Sequence, residues 1–145
     1  MDAVLDLGRK VDADLCFAND PDGDRLCVAV RTAQDDFALL TGDEVGALLG
    51  TDRLGGATGP GALATTVVSS RLLPRIAAAK GRRCSITLTG FKWLMHRARK
   101  HQAAGESLLF AYEEALGYAV GDLVHDKDRK STRLNSSHQI ISYAV

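Results

Sequence analysis

Apolar and polar positions alternate along this chain in two rhythms. From Asp2 to Lys10, Ala3, Val4, Leu5 and Leu7 are interleaved with polar residues and followed by Val11. That spacing predicts a short amphipathic helix, which Asp2 can cap. Ala13 to Ala18 is apolar apart from Asp14 and predicts a buried strand. Leu26 to Val30 predicts a second. Phe37 to Leu40, after the turn-like Gln34-Asp35-Asp36, predicts a third. Thr41 stands three residues before Glu44, the spacing of a capping box, and the helix it opens runs through Val45–Leu49 to end near Gly50. A Gly-rich linker, Gly55 to Gly61, follows. Strand Ala62–Val68, helix Arg71–Lys80, strand Cys84–Leu88, helix Phe91–Lys100 and strand Leu108–Tyr112 then succeed one another. Short apolar strands alternating with helices predict an α/β layered architecture. We place a domain boundary near Leu40/Thr41, with the end of one α/β unit before it and most of a second after it.

The last stretch breaks this rhythm. Lys130 to Val145, with its Ser-Thr-Arg-Leu-Asn-Ser-Ser-His run, has no βα periodicity. It resembles a peptide produced when sequencing-adapter DNA is translated, and we expect residues 130–145 to be a non-native or disordered tail.

Composition narrows the classes without adding chemistry. The chain has 145 residues, enough for one ordinary domain or parts of two, with 46% hydrophobic and 25% charged residues. Its formal net charge is zero, so the total gives no electrostatic argument for a nucleic-acid or membrane partner. No apolar run approaches the ~20 residues of a membrane helix. The start, Met1-Asp2-Ala3-Val4, has no basic region before an apolar one, unlike a signal peptide. Cys16, Cys27 and Cys84 are odd in number, widely spaced and set in apolar stretches. They fit small buried hydrophobes better than disulfides or a zinc site, and we expect a reducing, cytoplasmic setting.

Candidate chemistry concentrates between the first two strands, in Asp20-Pro21-Asp22-Gly23-Asp24-Arg25. In an extended segment, residues i, i+2 and i+4 point to one side, so three carboxylates can converge. Uncompensated, they raise one another's pKa. A divalent cation removes that cost, and hard carboxylate oxygens suit Mg²⁺. Arg25 adds a planar fork suited to phosphate. An EF-hand loop requires Gly and Glu where this chain has Arg25 and Arg31, so that reading fails. A haloacid-dehalogenase-type phosphatase shares Asp-x-Asp-Gly but has Thr or Val where Asp24 stands. An exposed acidic turn built from Asp, Pro and Gly is the bland alternative.

Four motifs in order resemble the α-D-phosphohexomutase family, which includes phosphoglucomutases and phosphomannomutases. Ala18 to Arg25 is similar to its metal loop. Leu88-Thr89-Gly90-Phe91-Lys92-Trp93 is similar to a third-domain loop that closes on substrate. Tyr112-Glu113-Glu114-Ala115-Leu116-Gly117-Tyr118 is similar to its sugar-recognition loop, with Ala115 where many members carry Ser. Val124-His125-Asp126-Lys127-Asp128 is similar to an Asp-Lys-Asp-Gly segment, but Arg129 replaces the Gly. The resemblance implies Mg²⁺ on Asp20, Asp22 and Asp24, with Arg25 as an active-site cation. It also implies Glu113 on the sugar hydroxyls, Gly90 and Lys92 at the substrate, and Lys127 in proton transfer.

By the same resemblance the fold is a mixed-sheet βα layering of phosphohexomutase type, with one partial and one nearly complete domain. Residues 1–40 would end domain 2 and residues 41–129 would form domain 3. The implied reaction interconverts hexose 1-phosphate and hexose 6-phosphate through an enzyme phosphoserine and a bisphosphate. No stretch here is similar to the family's Thr-Ala-Ser-His-Asn-Pro phosphoserine segment. We therefore expect an internal fragment, missing domains 1 and 4 of its parent and inactive alone. Its expected partner is a phosphosugar, with no nucleic acid and no membrane. A haloacid-dehalogenase-type phosphatase using Asp20, and a non-catalytic sugar-phosphate-binding module, are the competing readings.

Overall fold

The computed structural model describes residues 1–121. Two sheets organise them. The first is antiparallel: β1 (Leu15–Asn19), β2 (Leu26–Arg31) and β3 (Phe37–Leu40) lie in that order. Helix α1 (Asp2–Lys10) packs on β1. It meets the sheet at Gly8, where an added Cβ would stand 2.5 Å from Cys16 Sγ. Asp2 does not cap α1; Met1 holds that position without a side-chain bond, and Asp2 sits in the first turn. An acidic residue still belongs there, facing the positive end of the helix dipole.

The second sheet is mixed, in the order β5-β4-β6-β7. Strand β4 (Gly61–Thr66) runs parallel to β5 (Arg83–Thr87) and to β6 (Ser107–Glu113), while β7 (Gly117–Val120) returns antiparallel to β6. Helices α2 (Gly42–Gly55) and α3 (Leu72–Ala79) cover one face, burying Leu54, Leu73 and Ala77 against Leu63, Phe110 and Tyr112. Helix α4 (Phe91–Ala103) covers the other, burying Leu94, Met95 and Ala98 against Ala64, Leu108 and Ala111. Every residue of β4 is buried, as a central parallel strand requires. Among the described residues, no helix is long and apolar enough to cross a membrane.

Helix α2 departs most from its expected length, running to Gly55 rather than stopping near Gly50. Its interior glycines are contact points. An added Cβ at Gly46 would lie 2.5 Å from the Tyr112 ring, and one at Gly50 2.4 Å from Leu73 Cδ1. Tertiary packing thus outweighs the ~1 kcal/mol helix cost of each glycine. Strand β7, absent from the sequence reading, is only four residues long. The two sheets meet through Leu26, Val28 and Val45, with Leu40, Leu49 and Tyr118 against them. That seam sets the acidic loop beside the carboxyl end of β6.

Candidate functional site

The loop between β1 and β2 gathers its carboxylates by turning, not by extended alternation. The Gly23 N–H donates to the Asp20 carbonyl at 3.0 Å, closing a four-residue turn, and Gly23 has φ +71. Asp first, Pro second and Gly fourth are the residue preferences of such a turn, which the period-two reading overlooked. The outcome is nonetheless convergence: one carboxylate oxygen from each of Asp20, Asp22 and Asp24 lies within 4.8 Å of the other two. Octahedral Mg²⁺ with oxygens at ~2.1 Å places neighbouring ligands about 3 Å apart and opposite ones about 4.2 Å apart. The three oxygens therefore fit a hard divalent cation after a small contraction.

Electrostatics within the loop are partly compensated by its own arginine. Arg25 Nε donates to Asp20 Oδ2 at 2.6 Å, and the N–H groups of Asp24 and Arg25 donate to Asp20 Oδ1 at 3.1 Å. Partial desolvation pushes the Asp20 carboxyl upward. The bonds from the Arg25 side chain and backbone outweigh it and hold that carboxyl well below the usual carboxylate range. Arg25 thus supplies at Asp20 the compensation without which neighbouring carboxylates raise one another's pKa. The same bond raises the Arg25 pKa further. About half of the Arg25 side chain stays open to solvent.

A backbone bond couples this loop to the third motif, Tyr112 to Tyr118. The Leu26 N–H, one residue past Arg25, donates to the Leu116 carbonyl at 3.1 Å. Leu116 has φ +64, a left-handed conformation rare for a leucine, and sits in the turn joining β6 to β7. Glu113, at the end of β6 and paired with Gly117, is half-buried at the start of that turn.

The turn is held from below by polar side chains that sequence reasoning passed over. Thr66 and Ser69 hydroxyls donate to Glu114 Oε2 at 3.0 and 2.9 Å. Tyr112 Oη and the Ser70 N–H donate to Asp43 Oδ1 at 2.8 and 2.7 Å. An added Cβ at Gly42 would lie 2.0 Å from the Glu114 carbonyl oxygen, so α2 starts directly against this turn. The available signal was the hydroxyl run Thr65-Thr66 and Ser69-Ser70 closing an otherwise apolar strand.

Gly90 and Lys92 occupy the same sheet edge, on β5's side. Because β4, β5 and β6 are parallel, Thr66, Thr87 and Glu113 all end on one edge. Two strand spacings, about 10 Å, separate β5 from β6. Gly90 caps α4 with φ +108, and Lys92 Nζ lies over the Trp93 ring at 5.1 Å from its centroid. Lys127 and the tail 130–145 fall outside the described residues. Burial pushes the Cys84 thiol up to about 12, which disfavours its thiolate.

A family model described as "Phosphoglucomutase/phosphomannomutase, alpha/beta/alpha domain III" matches residues 41–133. The chain is 38% identical over 142 residues to the phosphopentomutase of Homo sapiens, covering 90% of this chain and 23% of that protein. Its structure is similar to a phosphoglucomutase/phosphomannomutase family protein from Burkholderia thailandensis, with TM-score 0.64 and 25% identity over 89% of this chain and 25% of that one. It shares the fold of Aspergillus fumigatus N-acetylphosphoglucosamine mutase in complex with GlcNAc-6P and magnesium, with TM-score 0.58, 17% identity, and coverage of 94% and 31%. The chain spans about a quarter of the length of the curated relative it matches.

Proposed function

The chain belongs to the α-D-phosphohexomutase family, and from that premise we propose that it is a piece of a Mg²⁺-dependent phosphosugar mutase. The parent interconverts hexose 1-phosphate and hexose 6-phosphate through an enzyme phosphoserine and a bisphosphate. Residues 1–40 close its second domain and residues 41–129 make most of its third. The observation that carries this reading is the Leu26–Leu116 bond, which sets three converging carboxylates beside the Glu113 turn.

Each residue then has a task its position supports. Asp20, Asp22 and Asp24 hold the cation. When bound, Mg²⁺ supplies charge neutralisation and Lewis acidity for phosphoryl transfer. Arg25, anchored through Nε on Asp20, turns its remaining N–H groups toward phosphoryl oxygens. Glu113 accepts hydrogen bonds from two sugar hydroxyls, and Glu114 and Asp43 keep its turn in place. Gly90 and Lys92 receive the substrate from the β5 side of the edge. Lys127 moves a hydroxyl proton.

A phosphatase using Asp20 as nucleophile is less well supported, because both Asp20 oxygens already accept hydrogen bonds. The phosphopentomutase relative supports a second substrate reading, in which the sugar is a pentose phosphate. Two measurements test the proposal. Calorimetric titration with Mg²⁺ is expected to show weak saturable binding that Asp22→Ala abolishes; identical heats would sink the cation site. Purified alone and supplied with a bisphosphate activator, the chain is expected not to convert glucose 1-phosphate or ribose 1-phosphate. Turnover would refute the fragment reading.

A further inference from the structure

From Arg71 to Gly105 the chain has nine arginines and lysines and no acidic residue. The acid that ends this basic band is Glu106, and it bonds a histidine more closely than an arginine. Glu106 Oε2 lies 2.7 Å from His101 Nδ1 and 3.8 Å from Arg83 Nη1. On the other side of the ring, His101 Nε2 lies 2.8 Å from Ser85 Oγ. A carboxylate can only accept, so Nδ1 carries the ring proton. In the neutral ring Nε2 is then the acceptor, and the Ser85 hydroxyl donates to it.

The backbone fixes each member. His101 is 5% exposed and lies in the last turn of α4. The Glu106 N–H donates to the His101 carbonyl at 2.9 Å, which folds the chain back so that the carboxylate reaches the ring. Ser85 is half-buried in the middle of β5. The candidate mutase site lies at the other end of the sheet. Glu106 precedes β6 and Glu113 ends it, so about 20 Å of strand separates them.

What surrounds Ser85 distinguishes this relay from a core histidine that is merely hydrogen-bonded. Strand β5 is an edge of its sheet. The Val67 N–H donates to the Thr87 carbonyl, so Thr87 and, two residues back, Ser85 turn their backbone groups to β4. The Ile86 N–H between them points off the open edge, next to the Ser85 hydroxyl. A cleft of about 370 Å³ opens there, lined by Ile86 and Thr87 from the strand and by Lys100, the residue before His101, from the helix. Val67, Leu88 and Trp93 leave apolar surface exposed in it. That volume and lining suit a small apolar group.

Going beyond the mutase reading, we infer that Ser85, His101 and Glu106 form a serine-hydrolase site that cleaves carboxylic esters of small apolar acids. Ser85 Oγ attacks the ester carbonyl carbon as its proton passes to His101 Nε2, and the Ile86 N–H donates to the oxyanion. The bond from that carbon to the leaving oxygen breaks, and the leaving oxygen takes the proton from Nε2. Water then adds to the acyl-serine and gives a proton to Nε2. The bond from carbon to Ser85 Oγ breaks, Oγ recovers the proton, and the carboxylic acid departs. Glu106 is a positioning residue, which fixes the tautomer and steadies the imidazolium.

The 145-residue chain is incubated with p-nitrophenyl acetate in EDTA, and release of p-nitrophenolate is followed. Release is expected to exceed that in buffer and to saturate with ester. A fluorophosphonate probe, which loses fluoride as it phosphonylates an activated serine, is expected to stop release. Mass spectrometry should then find its adduct on Ser85. Ser85→Ala abolishes both signals. His101→Gln slows release about a hundredfold. Glu106→Gln slows it too, and Glu106→Asp slows it by less. Circular dichroism confirms that each variant is folded. Release no faster than in buffer, an adduct on another residue, or wild-type release by Ser85→Ala or His101→Gln overturns the inference. Mg²⁺ binding by Ser85→Ala stays at the wild-type level, so failure here leaves the mutase reading standing.

Discussion

Asp20 does two jobs that compete. Its oxygens hold Arg25 and the following backbone, and one of them also belongs to the converging set. In a metal-free loop Arg25 thus supplies the positive charge that a cation would otherwise bring. Replacing it should relieve that competition and remove a repulsive neighbour. Arg25→Gln is therefore expected to bind Mg²⁺ more tightly than wild type in calorimetry; weaker binding would show that Arg25 organises the site rather than competing for it. Asp43 makes a different kind of prediction. It accepts from both Tyr112 Oη and the Ser70 N–H, so Tyr112→Phe removes one charge-assisted bond from a buried tyrosine and leaves the other. Chemical denaturation should show a loss of about 1–2 kcal/mol, and a neutral outcome would remove this bond from the account of the turn.

Helix α2 shows how element-level packing supports the site. Thr41 and Glu44 form a reciprocal capping box, with the Thr41 N–H and hydroxyl donating to Glu44 Oε2 at 2.7 and 2.8 Å. Those bonds, the backbone one first, hold the Glu44 carboxyl below its ordinary value. A carboxyl depressed in the folded state contributes stability above its unfolded pKa of about 4.5 and loses it as pH falls through the folded value. Thermal melts of wild type and Glu44→Gln should therefore differ at pH 7 and converge as pH falls below 4.5 and through the folded Glu44 value. Gly42→Ala tests the seam itself. Its new methyl would meet the Glu114 carbonyl, a backbone atom that cannot swing aside. A destabilisation of about 1–3 kcal/mol is expected, and an unchanged melting temperature would contradict the packing.

This capping box was legible in the sequence because its two residues are neighbours along the chain, and so were the starts of β3 and α4. The full length of α2 was not, because its glycines are excused only by Tyr112 and Leu73, distant in sequence. Strand β7 escaped because four residues carry little periodicity and its register comes from β6. In the candidate site, the identity of the three aspartates could be read directly. The turn that gathers them was legible too, in Asp20, Pro21 and Gly23, whereas the Leu26–Leu116 bond and the Glu114 anchorage depend on contacts that no local pattern encodes.

At the scale of the molecule, charge is divided as sharply as structure. The acidic loop and α2's acidic first turn lie toward the β6 and β7 side, and the basic band covers α3, β5 and α4. All parallel strands point their carboxyl ends to one edge, where ligands of α/β sheets gather. The geometry supplies the local parts of the proposed site: a carboxylate cluster, the Glu113 turn, and a backbone bond between them. That bond makes the central claim measurable. Titration of ¹⁵N-labelled chain with Mg²⁺, followed by amide NMR, is expected to shift the signals of residues 20–25 and those of Leu26 and Leu116 along one saturation curve, with Asp22→Asn abolishing the response. Shifts that do not saturate, that leave Leu116 untouched, or that persist in Asp22→Asn would contradict a cation site coupled to the sugar turn.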